Sequence, residues 1–141
     1  MTVKELFEKY CSKDKWGYCC NGHSVNLTPA SEEEIKAFRD RCAKFGVEEK
    51  IVSELEEYYR QTNNFLGYFN CDELYLFDWW EGDEQKSIWL GCLDDVSFIY
   101  DSLTGKYAIG EAGDNSLGEY DTLMEMLEAY LKEGYENGWN N

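Results

Sequence analysis

Apolar side chains first recur along the chain at helical spacing. Val3, Leu6, Phe7 and Tyr10 share one face, and Thr2 followed by Glu5 has the form of a capping box, which predicts a short amphipathic helix ending near Cys11. Ser31 and Glu34 repeat that box ahead of a second stripe, Ile35, Phe38, Cys42 and Phe45, which Gly46 terminates. A third helix is predicted from Val47 through Ile51, Leu55, Tyr58 and Tyr59 to a stop at Asn63-Asn64. Between the first two helices, residues 12–30 contain Gly17, Asn21, Gly22 and the only proline, Pro29. They read as a loop with a short extended piece at 24–27.

Past Asn64 the period falls to two, or to short apolar runs, and strands are predicted over 65–69, 73–79, 87–93, 96–101 and 106–110. The links between them are short, which favours antiparallel neighbours. In 73–79, Tyr75, Phe77 and Trp79 alternate with Leu74, Leu76 and Asp78, so this strand carries apolar groups on both faces and needs cover on each. A polar loop is predicted over 111–119. Leu123, Leu127, Tyr130 and Leu131 then mark a last helix with Gly134 as its C′ residue, and 137–141 reads as a frayed tail in which Trp139 is able to dock. Helices, then sheet, then helix is an α+β layout. The expectation is a single domain over 1–141, with an antiparallel sheet of about five strands flanked by N-terminal helices and a C-terminal helix.

Charge changes this picture more than composition does. The formal net charge is −16, and residues 61–141 hold seventeen Asp or Glu against three Lys or Arg, together with four of the five tryptophans. A disordered acidic tail lacks the aromatics to build a core, so this half is expected to fold and to be intensely negative. Direct nucleic-acid binding is disfavoured, because phosphate contacts need clustered cations. A basic protein is the partner such a field attracts. The acids and aromatics interleave most densely on or beside the predicted strands, which makes Asp78, Trp79, Trp80, Glu81, Asp83, Glu84, Trp89, Asp94 and Asp95 the candidate partner-binding residues. Trp79 and Trp80, adjacent on a strand, point to opposite faces.

The six cysteines, Cys11, Cys19, Cys20, Cys42, Cys71 and Cys92, lack a framework spacing, and Glu5, Glu8 and Asp14 interrupt any apolar leader, so free thiols and a cytoplasmic location are expected. No apolar run approaches the roughly 20 residues that span a bilayer. Cys19, Cys20 and His23, with Cys11, are the ligand types zinc prefers, but their spacing departs from paired knuckles. His23 is the sole histidine, and it sits in a Gly-rich segment without a nucleophile elbow. Carboxylate pairs are too numerous to single out a glycosidase pair. Asp114, Asn115, Glu119 and Asp121 lack the EF-hand order, and Gly110-Glu111-Ala112-Gly113 lacks the Lys of a phosphate loop. No cofactor is expected. An enzyme or metal protein built on His23 and its cysteines is the weaker alternative.

Several local patterns, in their order, resemble the SUKH superfamily of bacterial toxin-immunity proteins and fungal cell-wall regulators. The resemblance covers about 31–133, with 1–30 as an N-terminal helix and loop extension. It rests on Glu34, Ile35 and Phe38 in an opening helix and on a helix ending Tyr59-Arg60-Gln61-Thr62-Asn63. Trp89-Leu90-Gly91, Phe98-Ile99-Tyr100-Asp101 and Thr104-Gly105 follow in the sheet, with a closing helix over 120–131. The chain has Val47-Glu48 where the family often has Leu-Pro, and Asn63-Asn64 where it often has Asn-Gly. The resemblance implies an antiparallel sheet flanked by helices, no enzymatic activity, and binding of a cognate toxin domain inside the producing cell. An intracellular adaptor of the same fold with an unrelated protein partner is the alternative in that class.

Overall fold

The computed structural model describes residues 1–63, 71, 75–78, 86–93, 96–102, 104–111 and 114–141. Among them the chain forms four α-helices and eight strands in two antiparallel sheets, so the α+β class read from the sequence holds. Both capping boxes close as their spacing dictates. In α1 (Val3–Tyr10) Thr2 Oγ1 accepts from Glu5 N at 3.1 Å while Glu5 Oε1 accepts from Thr2 N at 3.1 Å. In α2 (Glu32–Phe45) the Ser31–Glu34 exchange runs at 3.1 and 3.0 Å, and Gly46 ends the helix in the left-handed conformation at φ 84°. Each box satisfies N–H groups that a helix start leaves unpaired. α3 (Glu49–Tyr59) is shorter than its periodicity suggested. Its exit is fixed by Asn63, whose N–H donates to Thr28 O at 2.7 Å, whose Nδ2 donates to Glu34 at 2.8 Å and whose Oδ1 accepts from Cys71 N at 2.7 Å.

The segment read as a loop over 12–30 holds a three-stranded sheet, β1 (Lys13–Asp14), β2 (Gly17–Cys20) and β3 (His23–Val25), in sequential order, and the extended piece expected over 24–27 overlaps only β3. Asn21-Gly22, read as loop punctuation, is the turn of a hairpin. Both residues take positive φ, 47° and 82°, as a type I′ turn between strands requires. Tyr18 and Val25 reach the same core as Leu6 and Phe7, and the Phe7 and Tyr18 rings lie 5.3 Å apart.

The second sheet is a five-stranded meander of β4 (Tyr75–Asp78), β5 (Lys86–Leu93), β6 (Val96–Asp101), β7 (Lys106–Glu111) and β8 (Asp114–Tyr120). The strand expected over 65–69 lies outside the described residues. β8 corrects the polar loop expected over 111–119. Among the described residues it is an edge strand, paired on one side through Tyr107–Tyr120, Ala108–Glu119 and Ile109–Gly118, and an edge tolerates polar residues that a central strand does not. Ile88, Leu90, Phe98, Tyr100, Tyr107 and Ile109 turn one face of this sheet into the shared core. Each such side chain, fully buried, contributes about 1.5–3 kcal/mol.

α4 (Leu123–Glu136) lies against β7 and β8 and beside α1. Gly134 is not its C′ residue. The helix runs two residues further and Gly134 is buried within it, because a Cβ there would stand 2.5 Å from Asn140 Oδ1 and 2.7 Å from Asn21 Oδ1. The tail is likewise anchored and not frayed at Asn140, which is 2% exposed. Asn140 Nδ2 donates to Tyr10 O at 3.0 Å and Leu131 O at 2.9 Å, its Oδ1 accepts from Asn21 N at 3.1 Å, and its carbonyl accepts from Ser12 N at 3.0 Å. One asparagine thus ties the chain end to α1, α4 and the β2–β3 turn. No helix among the described residues is long and apolar enough to cross a membrane.

Candidate functional site

The cysteine and histidine cluster near the N-terminus is divided by its own strand. Successive residues of β2 face opposite ways, so Cys20 is fully buried while Cys19 is half-buried and its thiol donates to Asp14 Oδ2 at 3.8 Å. His23 is exposed beside Cys20 in the hairpin register. Among the described residues no three His, Cys, Asp or Glu side chains converge as a metal site would require.

Of the strand-borne candidates, Trp89 and Asp78 fall within the described residues. Trp89 is half-buried on β5, across from Tyr75 of β4 and Ile99 of β6, and Ile99 in turn pairs with Ala108. Ile99 and Ala108 are buried yet stand apart from the helix-side core, so the middle of this sheet is apolar on both faces. Asp78 closes the β4–β5 ladder opposite Lys86. Trp79, Trp80, Glu81, Asp83, Glu84, Asp94 and Asp95 lie outside the described residues.

The structure presents a second acidic and aromatic surface that the sequence pattern did not single out. α4 is capped twice at its start. Thr122 Oγ1 accepts from Glu125 N at 3.1 Å, and the Glu54 carboxylate accepts from Leu123 N at 3.0 Å and from the Tyr107 hydroxyl at 2.8 Å. That carboxylate pins the helix to α3 and β7 and suits the positive end of the helix dipole. Leu123, Met126, Leu127, Tyr130 and Leu131 are buried, which turns Glu125, Glu133 and Glu136 outward with Glu128 half-buried beside them. From Glu119 to Glu136 the chain carries six acids and one cation, Lys132. At the far end of this ridge Tyr135 is 61% and Trp139 52% exposed. Neither is a loose end: Tyr135 meets the Tyr10 ring edge-on at 6.0 Å, and Trp139 N donates to Gly134 O at 2.8 Å next to the Asn140 anchor.

Three cations are engaged internally. Arg39 binds Glu56 and, at 2.9 Å, Glu49, while Arg60 binds Glu32 at 2.5 Å and Glu56 at 3.2 Å, and Lys106 binds Asp121 at 2.5 Å. The Arg39 hydrogen bond, followed by that of Arg60, holds the Glu56 carboxyl below its ordinary range against the opposing effect of burial. On the ridge itself Lys132 stands 4.0 Å from Glu136, so with the Lys106–Asp121 pair two of its six acids have a cation beside them. A cleft of about 300 Å³, with Glu54, Glu57, Gln61 and Met124 among its walls, opens by the start of α4. It has the size and charge to receive a lysine or arginine head.

Nothing in the periodicity of 123–141 distinguishes this surface from an ordinary amphipathic helix, and Trp139 lies next to an asparagine whose contacts are distant in sequence. Compared with known proteins, the chain matches no family model, no curated protein and no solved structure.

Proposed function

We propose that this chain is a non-enzymatic, acidic binding protein that acts in the cytoplasm on a basic protein domain, of the toxin-neutralising kind that the SUKH resemblance implies. The observation that carries the reading is the α4 ridge: exposed carboxylates in line, ending in two exposed aromatics, Tyr135 against the Tyr10 ring and Trp139 beside the Asn140 anchor. Interfaces draw their energy from such fixed aromatics, and their encounter rate from complementary charge. The antiparallel sheet flanked by helices agrees with what the resemblance implies for the fold.

The test separates the two acidic surfaces. The partner is recovered by cross-linking in the source cells, produced recombinantly, and offered two folded variants of this chain. One reverses Glu133 and Glu136 to Lys, the other Glu81, Asp83 and Glu84. A fall of tenfold or more in association rate for either set, with little change in dissociation, supports the reading and tells which surface docks. Unchanged binding by both sets refutes it. Neutralisation of a toxin domain in co-expression, as against binding without protection, separates an immunity protein from an adaptor.

A further inference from the structure

The N-terminal sheet brings two thiols together that the sequence separates by eight residues. β1 and β2 pair with Lys13 opposite Tyr18 and Asp14 opposite Gly17. Toward the end of α1 the register continues, since Cys19 N donates to Ser12 O at 2.8 Å. One step further sets Cys11 opposite Cys20. Cys11, the C-cap of α1, is already in extended conformation at φ −127° and ψ 141°. Lys13–Tyr18 is flanked by that bond and so is a non-hydrogen-bonded pair, and Cys11–Cys20, two steps along, has the same type. Pairs of that type hold their Cα atoms about 4.5 Å apart with side chains on one face, inside the roughly 4.4–6.8 Å that a disulfide spans. Each thiol is the other's leading electrostatic neighbour.

We propose that Cys11 and Cys20 form a reversible redox-modification site, oxidised to a cross-strand disulfide by low-molecular-weight disulfides of the glutathione class. Access and chemistry give the two sulfurs different roles. Cys11 is half-buried and reachable, whereas Cys20 is fully buried behind it. The neighbouring Cys20 thiol lowers the Cys11 pKa, while Cys11 and burial raise that of Cys20, so with its greater exposure Cys11 is the attacking thiolate and Cys20 the resolving thiol. Cys11 thiolate attacks one sulfur of the small disulfide, breaking its S–S bond, forming a mixed disulfide and releasing one small thiolate. Cys20 then loses its proton and attacks the Cys11 sulfur, releasing the second. The protein pair gives up two electrons and two protons, and the small disulfide becomes two thiols.

Two of the remaining cysteines do not compete. Cys19 faces the other way toward Asp14, and burial pushes the Cys42 thiol up to about 11. The bond would staple the end of α1 to β2 and close a short loop, which stabilises a fold by restricting its unfolded chain. This site stands independently of the binding reading.

The test uses the reduced full chain at neutral pH with excess oxidised glutathione, followed by alkylation of free thiols and peptide mapping by mass spectrometry. The expected result is loss of two of the six thiols, a Cys11–Cys20 linkage, and full recovery with dithiothreitol. Cys19→Ser retains the linkage, whereas Cys11→Ser abolishes it, and the oxidised wild type melts at a higher temperature than the reduced form while Cys11→Ser does not. Should buried Cys20→Ser fail to fold, the wild-type map and Cys11→Ser decide the matter. Persistence of glutathione on Cys11 with Cys20 alkylated, a linkage to Cys19, or six unreacted thiols would overturn the proposal.

Discussion

Replacing Gly134 by alanine tests the anchoring of the chain end, because two effects oppose each other there. In an ordinary helix interior Gly→Ala stabilises by about 1 kcal/mol. Here the new Cβ would meet Asn140 Oδ1 at 2.5 Å, Asn140 Nδ2 at 2.8 Å and Asn21 Oδ1 at 2.7 Å, well inside van der Waals contact. The Asn140 amide cannot yield freely. Its bonds to Tyr10 O, Leu131 O and Asn21 N, at 3.0, 2.9 and 3.1 Å, are lost if it moves. At about 1 kcal/mol net for each hydrogen bond, the loss is about 3 kcal/mol, and subtracting the helix gain leaves Gly134→Ala destabilised by about 2 kcal/mol. For a chain of this size that lowers the melting temperature by about 6 °C. Urea unfolding followed by tryptophan fluorescence and circular dichroism measures it directly. In an Asn140→Ala background the same substitution should cost far less, a coupling that a double-mutant cycle reads. A Gly134→Ala variant more stable than wild type by about 1 kcal/mol would refute the account of the tail.

Three further outcomes are expected. Tyr107→Phe removes the 2.8 Å donation to the Glu54 carboxylate and should cost about 1.5–3 kcal/mol in urea unfolding, since the bond is to a charged group. Arg60, first by hydrogen bonding and then by its charge, holds Glu32 below its ordinary 4.5, as Arg39 does Glu56, so the stability from these pairs is present above that value and disappears as pH falls through the lower folded values. Unfolding midpoints should drop below about pH 4.5, less steeply in Arg60→Gln. His23→Ala, at an exposed position, should change stability by less than about 0.5 kcal/mol and leave partner binding intact, and a loss of several kcal/mol would restore the metal reading.

Local chemistry was legible in the sequence where it is complete within four residues. Both capping boxes, the Gly46 stop and the strands β5 to β7 follow from spacing alone. The N-terminal sheet was missed because strands of two to four residues are too short to show a period, and Asn21-Gly22 marks a loop or a hairpin turn with equal force. β8 was missed because an edge strand need not be apolar. Gly134 was misread because a glycine that admits a neighbouring side chain has the same letter as one that ends a helix. At the candidate site, Trp89 illustrates how alternation places a residue without stating its burial, whereas the chain end that carries Trp139 is anchored by Asn140 contacts to residues as far away as Tyr10, which no local pattern encodes.

The central claim is that acidic charge draws in a basic protein partner and a fixed aromatic retains it. Surface-capture kinetics with the recovered partner, across ionic strength from about 0.02 to 0.5 M, tests it most directly, since charges beyond about 8 Å are largely screened at 0.15 M. The account predicts an association rate that falls by at least tenfold over that range while dissociation changes little, and faster dissociation for folded Trp139→Ala at every salt concentration. An association rate independent of salt, with Trp139→Ala dissociating as wild type does, would contradict it.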